Sequence, residues 1–240
     1  MKLEIEGIVL KQTPYKEKDA MISVLTKDGI VSFLAHNVLA VTSKNKSACL
    51  PYTFSLFNLN SRNDKLTLSQ AKIIKSYAHL YSSFEYLASI NLINECINKF
   101  IDEDNIYIFS YLKKYLELIE EGYSEVTLTL IMLAQIIKFS GYDLEYNQCV
   151  ICGDKKNIVD VSYADGGFIC AKCAKRNHRS SNYLKTFRYV FMIDSENMNY
   201  HLIDQNIGEC LIYDFCSHLI KSFGFNELKS LEIYKVSKSK

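Results

Sequence analysis

The 240-residue chain has globular composition, with 48% hydrophobic and 23% charged residues, which excludes an intrinsically disordered chain. This length can bury a substantial core and form two domains. The start, MKLEIEG, carries glutamates where a signal peptide needs an apolar run, and no apolar stretch approaches the roughly 18 residues of a membrane span, so we expect a soluble, cytoplasmic protein. In a reducing compartment, eight cysteines favour metal binding over disulfides.

The net charge of +1 conceals an uneven distribution. Residues 1–76 contain 11 Lys and Arg against 6 Asp and Glu, a net charge of +5. Residues 77–147 contain 4 against 11 (−7), and residues 148–240 contain 13 against 10 (+3). This pattern indicates a chain that meets an anionic partner through one part only, with ordinary solvated faces as the alternative.

The sequence pattern of the first third of the chain predicts β-strands. Apolar residues alternate or run over strand-like lengths, and turn residues such as those at 27–29 and 61–64 separate the segments. Five strands with these connections predict a small OB-fold barrel, whose exposed face and loops bind oligonucleotides. The predicted strand sequences are LEIEGIVLKQ, DAMISVLT, GIVSFLAH, YTFSLFNLN and KLTLSQAKII.

Basic and aromatic residues are interleaved along the predicted barrel loops, as in proteins that bind single-stranded nucleic acid. Among the aromatic residues, Phe54 or Phe57 is expected inside the barrel, whereas Tyr15 and Tyr52 lie at loop ends and are candidates to face a base. The predicted phosphate contacts are Lys11, Lys16, Lys18, Lys44, Lys46 and Arg62.

Helical patterns begin after the barrel. Ser82 and Glu85 fit a capping box, and an apolar segment that starts near Ser124 and ends at Gly141 predicts the central helix of a second domain. Other helices are predicted at 106–120, 183–192 and 206–222. The fold class is therefore α+β and multidomain. We expect a barrel domain at 1–78 and a helical domain at 79–240, with a zinc-binding insertion at 146–178.

Two Cys-x-x-Cys pairs, Cys149/Cys152 and Cys170/Cys173, are separated by seventeen residues, a spacing typical of a four-cysteine zinc site. Because all four positions would be filled by protein, the zinc would be structural rather than catalytic. Unligated thiols or a redox pair are the alternatives. The remaining cysteines are expected to be small buried hydrophobic residues; they are Cys49, Cys96, Cys210 and Cys216.

A second basic cluster follows the cysteines and is a further candidate for phosphate contacts. The alternative is a solvated loop. Its residues are Lys172, Lys175, Arg176, Arg179 and Lys185.

The chain carries no recognisable catalytic motif. It lacks a Gly-x-x-x-x-Gly-Lys phosphate loop, a Gly-x-Gly-x-x-Gly turn and a Gly-x-Ser-x-Gly nucleophile turn. It also lacks the His-x-Glu and Pro-Cys-x-x-Cys pattern of zinc deaminases. The five histidines are better explained as surface or capping residues, and we expect a protein that is not an enzyme.

Several strings in this sequence together resemble the family of the bacterial DNA repair and recombination protein RecO. They are GIVLK at 7–11, YKEKD at 15–19, Thr26 with Gly29, Pro51-Tyr52, Gly141-Tyr142 and Asp165-Gly166-Gly167. Two positions depart from the family pattern. Lys16 stands where the family has Gly, and His36-Asn37 replaces a Lys-Gly that usually precedes several Arg and Lys.

The resemblance implies a recombination mediator without enzymatic turnover. Such a protein binds single- and double-stranded DNA, anneals complementary strands, works with RecR and the single-strand DNA-binding protein, and helps to load RecA. It implies a bacterial, nucleoid-associated location. The alternative is a non-enzymatic, zinc-containing adaptor for protein interactions whose barrel does not bind DNA by itself.

Overall fold

A computed structural model describes residues 2–63, 65–102, 106–175, 178–194 and 203–239. The chain divides into two compact units. One, the barrel unit, comprises residues 1–80 and 103–120. The other, the helical unit, comprises residues 81–102 and 121–240. In the part of the chain that is described, no helix is long and apolar enough to cross a bilayer.

The five predicted strands form a closed barrel in the order β1-β2-β3-β5-β4, which confirms the OB-fold expectation. Neighbouring strands are antiparallel except β3 and β5, which pair in parallel at Leu34 and Thr67. This parallel pair closes the barrel. The strands are β1 (Lys2–Tyr15), β2 (Asp19–Thr26), β3 (Gly29–Ala35), β4 (Phe54–Arg62) and β5 (Lys65–Lys75).

The barrel core is built from alternate strand positions. Ile22, Phe33 and Phe57 are almost fully buried, and the rings of Phe33 and Phe57 lie 5.2 Å apart. β1 pairs with two neighbouring strands because a register shift between Val9 and Lys11 bends it. Its first half pairs with β4 and its second half with β2, so this long strand connects both sides of the barrel.

The barrel unit also contains a helix, α2 (Ile108–Glu120). The Phe109 ring packs 6.2 Å from the Phe54 ring, and Lys113 Nζ lies 4.8 Å from the centroid of the same ring. The Glu120 carboxylate accepts a hydrogen bond from the His79 backbone N–H at 2.9 Å. A helix beyond residue 78 therefore packs with the barrel in space. The boundary at 78 as a limit of independent folding stays a prediction.

The helical unit is arranged around α3 (Glu125–Phe139), in which every residue from 126 to 137 is buried. The prediction of a central apolar helix is thus confirmed. Ser124 caps its N-terminus by accepting a hydrogen bond from the Thr127 N–H. The other helices of this unit are α1 (Phe84–Phe100), α4 (Ser181–Met192), α5 (Gln205–Phe223) and α6 (Lys229–Lys238).

One helix terminus and one whole helix differ from expectation. The α1 cap is Ser83, which accepts a hydrogen bond from the Tyr86 N–H, so the prediction of Ser82 was wrong by one residue. The helix α6 was not predicted. The Glu95 carboxylate holds the first turn of this helix by accepting hydrogen bonds from the Ser230 N–H and hydroxyl, and the helix buries its own Tyr234 against the unit.

Candidate metal centre and nucleic-acid interface

The four cysteines of the predicted metal site lie on two tight turns. In the first turn, the Cys149 carbonyl oxygen accepts a hydrogen bond from the Gly153 N–H, and the Cys149 N–H donates to the Asp154 carbonyl oxygen, both at 2.8 Å. In the second, the Cys170 carbonyl oxygen accepts from the N–H groups of Cys173 and Ala174 at 3.0 and 2.9 Å. Each turn aims its two sulfurs toward one point.

A short hairpin, β6 (Ile158–Ser162) and β7 (Gly167–Cys170), supports these turns. The Val150 N–H donates to the Phe168 carbonyl oxygen at 2.9 Å, which ties the first turn to β7. The Phe168 N–H in turn donates to the Glu145 carbonyl oxygen at 2.8 Å. The backbone of 145 thus lies directly against Gly167, where a Cβ atom would approach the Glu145 oxygen to 2.3 Å. Only glycine fits this contact.

The thiol geometry suits a tetrahedral metal ion. All four Sγ atoms lie within 4.8 Å of one another, and Cys152 and Cys170 are separated by 3.6 Å. A tetrahedral ion with metal–sulfur bonds of about 2.3 Å requires sulfur–sulfur distances of about 3.8 Å. The four sulfurs are therefore arranged so that small movements would let them hold one ion. The sequence spacing thus brings together all four predicted ligands.

The backbone prepares part of this cluster for the thiolate form. Burial raises the pKa of the Cys149 thiol, but hydrogen bonds from the backbone N–H groups of Cys170, Cys152 and Ile151 outweigh it and lower the pKa to about 6. A hydrogen bond with Cys152 raises the pKa of Cys173 to about 12, because sulfurs this close to one another do not all lose their protons together. A metal ion would replace those protons.

A partly buried polar network links the β6–β7 hairpin to α4 and α5. The Tyr163 hydroxyl donates to the Tyr183 hydroxyl at 2.8 Å, which donates to the Asp214 carboxylate at 2.5 Å. Arg179 contacts Asp214 at 3.2 Å and Asp160 at 3.9 Å. Arg179 therefore bridges two carboxylates of its own unit.

The described lysines of the second basic cluster are exposed. Lys175 and Lys185 are exposed, and Lys172 lies 4.0 Å from Asp154 with 82% of its side chain exposed. Arg176 lies outside the described residues.

In the barrel, the structure brings two of the predicted basic loops together. The loop of residues 16–18 joins β1 to β2, and its Lys18 carbonyl oxygen accepts a hydrogen bond from the Leu39 N–H at 2.9 Å. Asp19 accepts hydrogen bonds from the Asn37 N–H at 2.8 Å and from His36 Nδ1 at 2.9 Å. The start of the loop after β3 is thereby fixed beside Lys16 and Lys18.

The Asp19 carboxylate is held ionised by these contacts. The hydrogen bond from the Asn37 N–H and then the one from His36 lower its pKa. In the first turn of the post-β3 loop, Asn37 adopts a φ of +54°, a backbone conformation that favours Gly and tolerates Asn. Asn can therefore occupy this position at little cost.

The remaining predicted phosphate contacts are distributed over the barrel. Lys44 is exposed and Lys46 half-buried, on either side of Asn45, whose side-chain oxygen accepts a hydrogen bond from the Ala71 N–H on β5. Exposed Lys11 lies opposite Ser23 in the β1–β2 pair, and exposed Arg62 ends β4.

Sequence comparisons agree with this architecture. The family model described as Recombination protein O N terminal matches residues 1–77, and the one described as Recombination protein O C terminal matches residues 81–205. The chain belongs to the RecO family. The DNA repair protein RecO of Listeria monocytogenes serotype 4a is 26% identical over 198 residues, which cover 79% of this chain and 78% of that protein.

Two further RecO proteins are similar. That of Caldicellulosiruptor bescii is 28% identical over 180 residues, which cover 73% of each chain. That of Bacillus pumilus is 27% identical over 180 residues, which cover 74% of this chain and 70% of that protein. The resemblance to RecO seen in the sequence motifs is thus confirmed.

Of the two tyrosines expected to face a base in this RecO family member, only one is exposed. Tyr52 is 7% exposed, and its N–H donates to the Val9 carbonyl oxygen at 2.7 Å, so its prediction as a base-facing residue was wrong. The backbone turns at Tyr52 with a φ of +65° and directs the ring inward. Tyr15 is 48% exposed, and Lys16 Nζ lies 5.5 Å from its ring centroid.

Two side chains in the helical unit are also placed differently from expectation. Cys210 is only half-buried, whereas Cys49, Cys96 and Cys216 are buried as expected. His218, expected at the surface, is 8% exposed and donates from Nε2 to the Tyr142 carbonyl oxygen at 3.1 Å. Burial lowers the His218 pKa, which keeps the ring neutral.

Proposed function

We propose that this RecO family member is a non-enzymatic mediator of DNA repair and recombination. It binds single- and double-stranded DNA through the barrel, anneals complementary strands, and acts with RecR to load RecA onto DNA coated by single-strand DNA-binding protein. The observation that supports the proposal is an OB-fold barrel with exposed lysines in its loops, in which Asp19 holds the start of the loop after β3 beside the loop of residues 16–18. A protein with this role would act in the cytoplasm, at the nucleoid.

The proposed DNA contacts are electrostatic. Exposed lysines at the barrel loops neutralise phosphates and release counterions, so affinity falls as salt rises. Contacts of this kind are individually weak and independent of sequence, which suits a protein that must release strands to allow annealing. The residues proposed are Lys11, Lys16, Lys18, Lys44, Lys46 and Arg62. Lys172, Lys175, Arg176 and Lys185 form a second candidate surface, and Arg179 would position it through its two carboxylate partners.

The decisive experiment measures the fluorescence anisotropy of labelled single-stranded DNA at several salt concentrations. Each phosphate contact adds about 0.7 to the slope of log affinity against log salt for a single strand. A Lys16/Lys18/Lys44 triple Gln variant is expected to lose about 2 from that slope. The charge-matched control neutralises three exposed β5 lysines, Lys65, Lys72 and Lys75. If both variants lose the same amount from the salt slope, the loops that carry Lys16, Lys18 and Lys44 have no special role in DNA binding.

We further propose that Cys149, Cys152, Cys170 and Cys173 hold a structural zinc ion. Four thiolates match the preference of zinc and leave no position for a reactive water. The ion would join the two turns and stabilise the helical unit. Cys170→Ser is expected to abolish stoichiometric zinc and to lower the free energy of unfolding, whereas the half-buried Cys210→Ser should retain the metal. Metal analysis after dialysis distinguishes the two.

The adaptor reading is the second candidate, and the loop after β3 favours it. Between residues 36 and 46 the basic side chains are Lys44 and Lys46, which is few for a nucleic-acid loop. Folded, zinc-loaded protein that fails to bind single- or double-stranded DNA at low salt would support this reading over the mediator.

A further inference from the structure

We propose that Tyr15 and Lys16 form a nucleotide clamp at the end of β1, in which the Tyr15 ring stacks on an unpaired base and the Lys16 ammonium binds an adjacent phosphate. The inference rests on the proposed DNA binding and adds strand preference to it. A clamp of this kind distinguishes single-stranded from double-stranded DNA, because duplex bases already stack on one another and leave no face free.

The first observation is the exposure of the ring and the charge beside it. Tyr15 is 48% exposed, while Phe33, Tyr52 and Phe57 in the same barrel are buried. Lys16 Nζ lies 5.5 Å from the centroid of the Tyr15 ring. An aromatic platform beside a cation is the combination with which OB-folds hold single strands, since every base has a face to stack and every nucleotide has a phosphate.

The second observation is a backbone conformation that a lysine does not favour. Lys16 has a φ of +61°, in the left-handed region that only Gly, Asn and Asp adopt readily. Strained residues of this kind persist where the surrounding structure holds them, and they are frequent at ligand sites. A lysine at this position, in place of the glycine that the conformation favours, puts an ammonium group beside the exposed ring. A phosphate contact would use that ammonium group.

The third observation is that the corner is held rigidly on both sides. Tyr15 pairs with Asp19 at the end of the β1–β2 ladder, and Asp19 accepts a hydrogen bond from the Asn37 N–H at 2.8 Å. The Lys18 carbonyl oxygen accepts another from the Leu39 N–H. Because the loop is already ordered, binding a nucleotide there loses little conformational entropy.

The test compares three labelled ligands by fluorescence anisotropy: an oligothymidine of about 16 nucleotides, an abasic strand of the same length and a duplex. Tyr15→Ala is expected to weaken oligothymidine binding about 5- to 150-fold, because stacking on an aromatic ring contributes that much per base. Its affinity for the abasic strand and the duplex should not change. Tyr15→Phe keeps the ring and should bind like wild type. Tyr107→Ala, which removes a tyrosine that is 60% exposed, is the matched control and should also bind like wild type.

The Lys16→Gly variant tests the second half of the clamp. It should lower the salt slope by about 0.7 for both the oligothymidine and the abasic strand, because it removes one phosphate contact and no stacking. A wild-type protein that binds oligothymidine, together with a Tyr15→Ala variant that binds it equally well, would overturn the clamp and leave the proposed function intact. If Tyr15→Ala weakens the affinity for all three ligands equally, the proposal that Tyr15 stacks on a base would also be overturned. No DNA binding by the wild type would overturn the proposed function itself.

Discussion

The contact between Gly167 and the backbone of 145 offers a sharp test of how the four-cysteine cluster is supported. Replacing Gly167 by Ala places a Cβ atom 2.3 Å from the Glu145 carbonyl oxygen and 2.6 Å from its nitrogen. Backbone atoms cannot rotate away as a side chain does, so the chain must separate. The neighbouring Gly166 is the matched control, because a Cβ atom there meets nothing within 4 Å.

The loss in the free energy of unfolding can be estimated from the hydrogen bonds that Gly167→Ala breaks and the backbone strain that it adds. Separation loses the hydrogen bonds from the Glu145 N–H to the Gly166 carbonyl oxygen and from the Phe168 N–H to the Glu145 carbonyl oxygen, both 2.8 Å long. Two such bonds contribute about 2 kcal/mol. A side chain at the Gly167 φ of +145° adds about 1–3 kcal/mol of backbone strain, so Gly167→Ala should cost about 3–5 kcal/mol. Gly166→Ala, at a φ of +89°, should cost about 1–2 kcal/mol.

Urea unfolding followed by far-UV circular dichroism measures both costs, and the 17 tyrosines supply a fluorescence signal that no tryptophan obscures. Because the Val150 N–H is bonded to the Phe168 carbonyl oxygen, a shift of β7 should also disturb the first cysteine turn. Gly167→Ala should therefore lose metal to a chelator faster than Gly166→Ala. Two variants that unfold within about 1 kcal/mol of each other would refute the argument from the close approach.

Three other expectations concern loops and ion pairs. Lys16→Gly should raise the free energy of unfolding of the barrel by about 1 kcal/mol, since glycine adopts the positive φ without strain; urea unfolding of the variant measures it. Because the Asp19 pKa is lowered on folding, its contribution is present above its unfolded pKa and lost as pH falls through the folded pKa. The difference in stability between wild type and Asp19→Asn should shrink across that range, and a constant difference would contradict the assignment. Arg179→Ala should cost about 1 kcal/mol in thermal unfolding because the partly exposed side chain bridges two carboxylates, whereas Lys175→Ala should cost nothing measurable.

The local features of this chain could be predicted from its sequence because they depend on interactions between residues close together in the chain. A two-residue spacing brings Cys149 and Cys152 onto one turn whatever surrounds them, and period-two alternation marks a strand that is buried on one side. The apolar run of α3 likewise indicated a central helix, because such a surface cannot remain in water. The four-cysteine cluster, the barrel strands and the central helix were predicted for these reasons.

Features that depend on residues far apart in the chain could not be predicted from the sequence. Tyr52 is buried because the chain turns there with a positive φ and bonds to Val9, forty-three residues earlier in the sequence. The helix α6 has a weakly apolar sequence, and it is stabilised through the Glu95 carboxylate at its first turn. Arg179 reads as one member of a basic run, and only the packing of α5 shows that Asp214 engages it.

The sequence by itself determined the class of protein, the four cysteines that cluster and the order of the main elements, because spacing and periodicity act within a few residues. Tertiary structure alone decided which side chains remain available to a partner. Burial of Tyr52 and the engagement of Arg179 both follow from contacts between segments far apart in the chain. Such contacts form only when the whole unit folds, so they cannot be predicted from any single stretch of sequence.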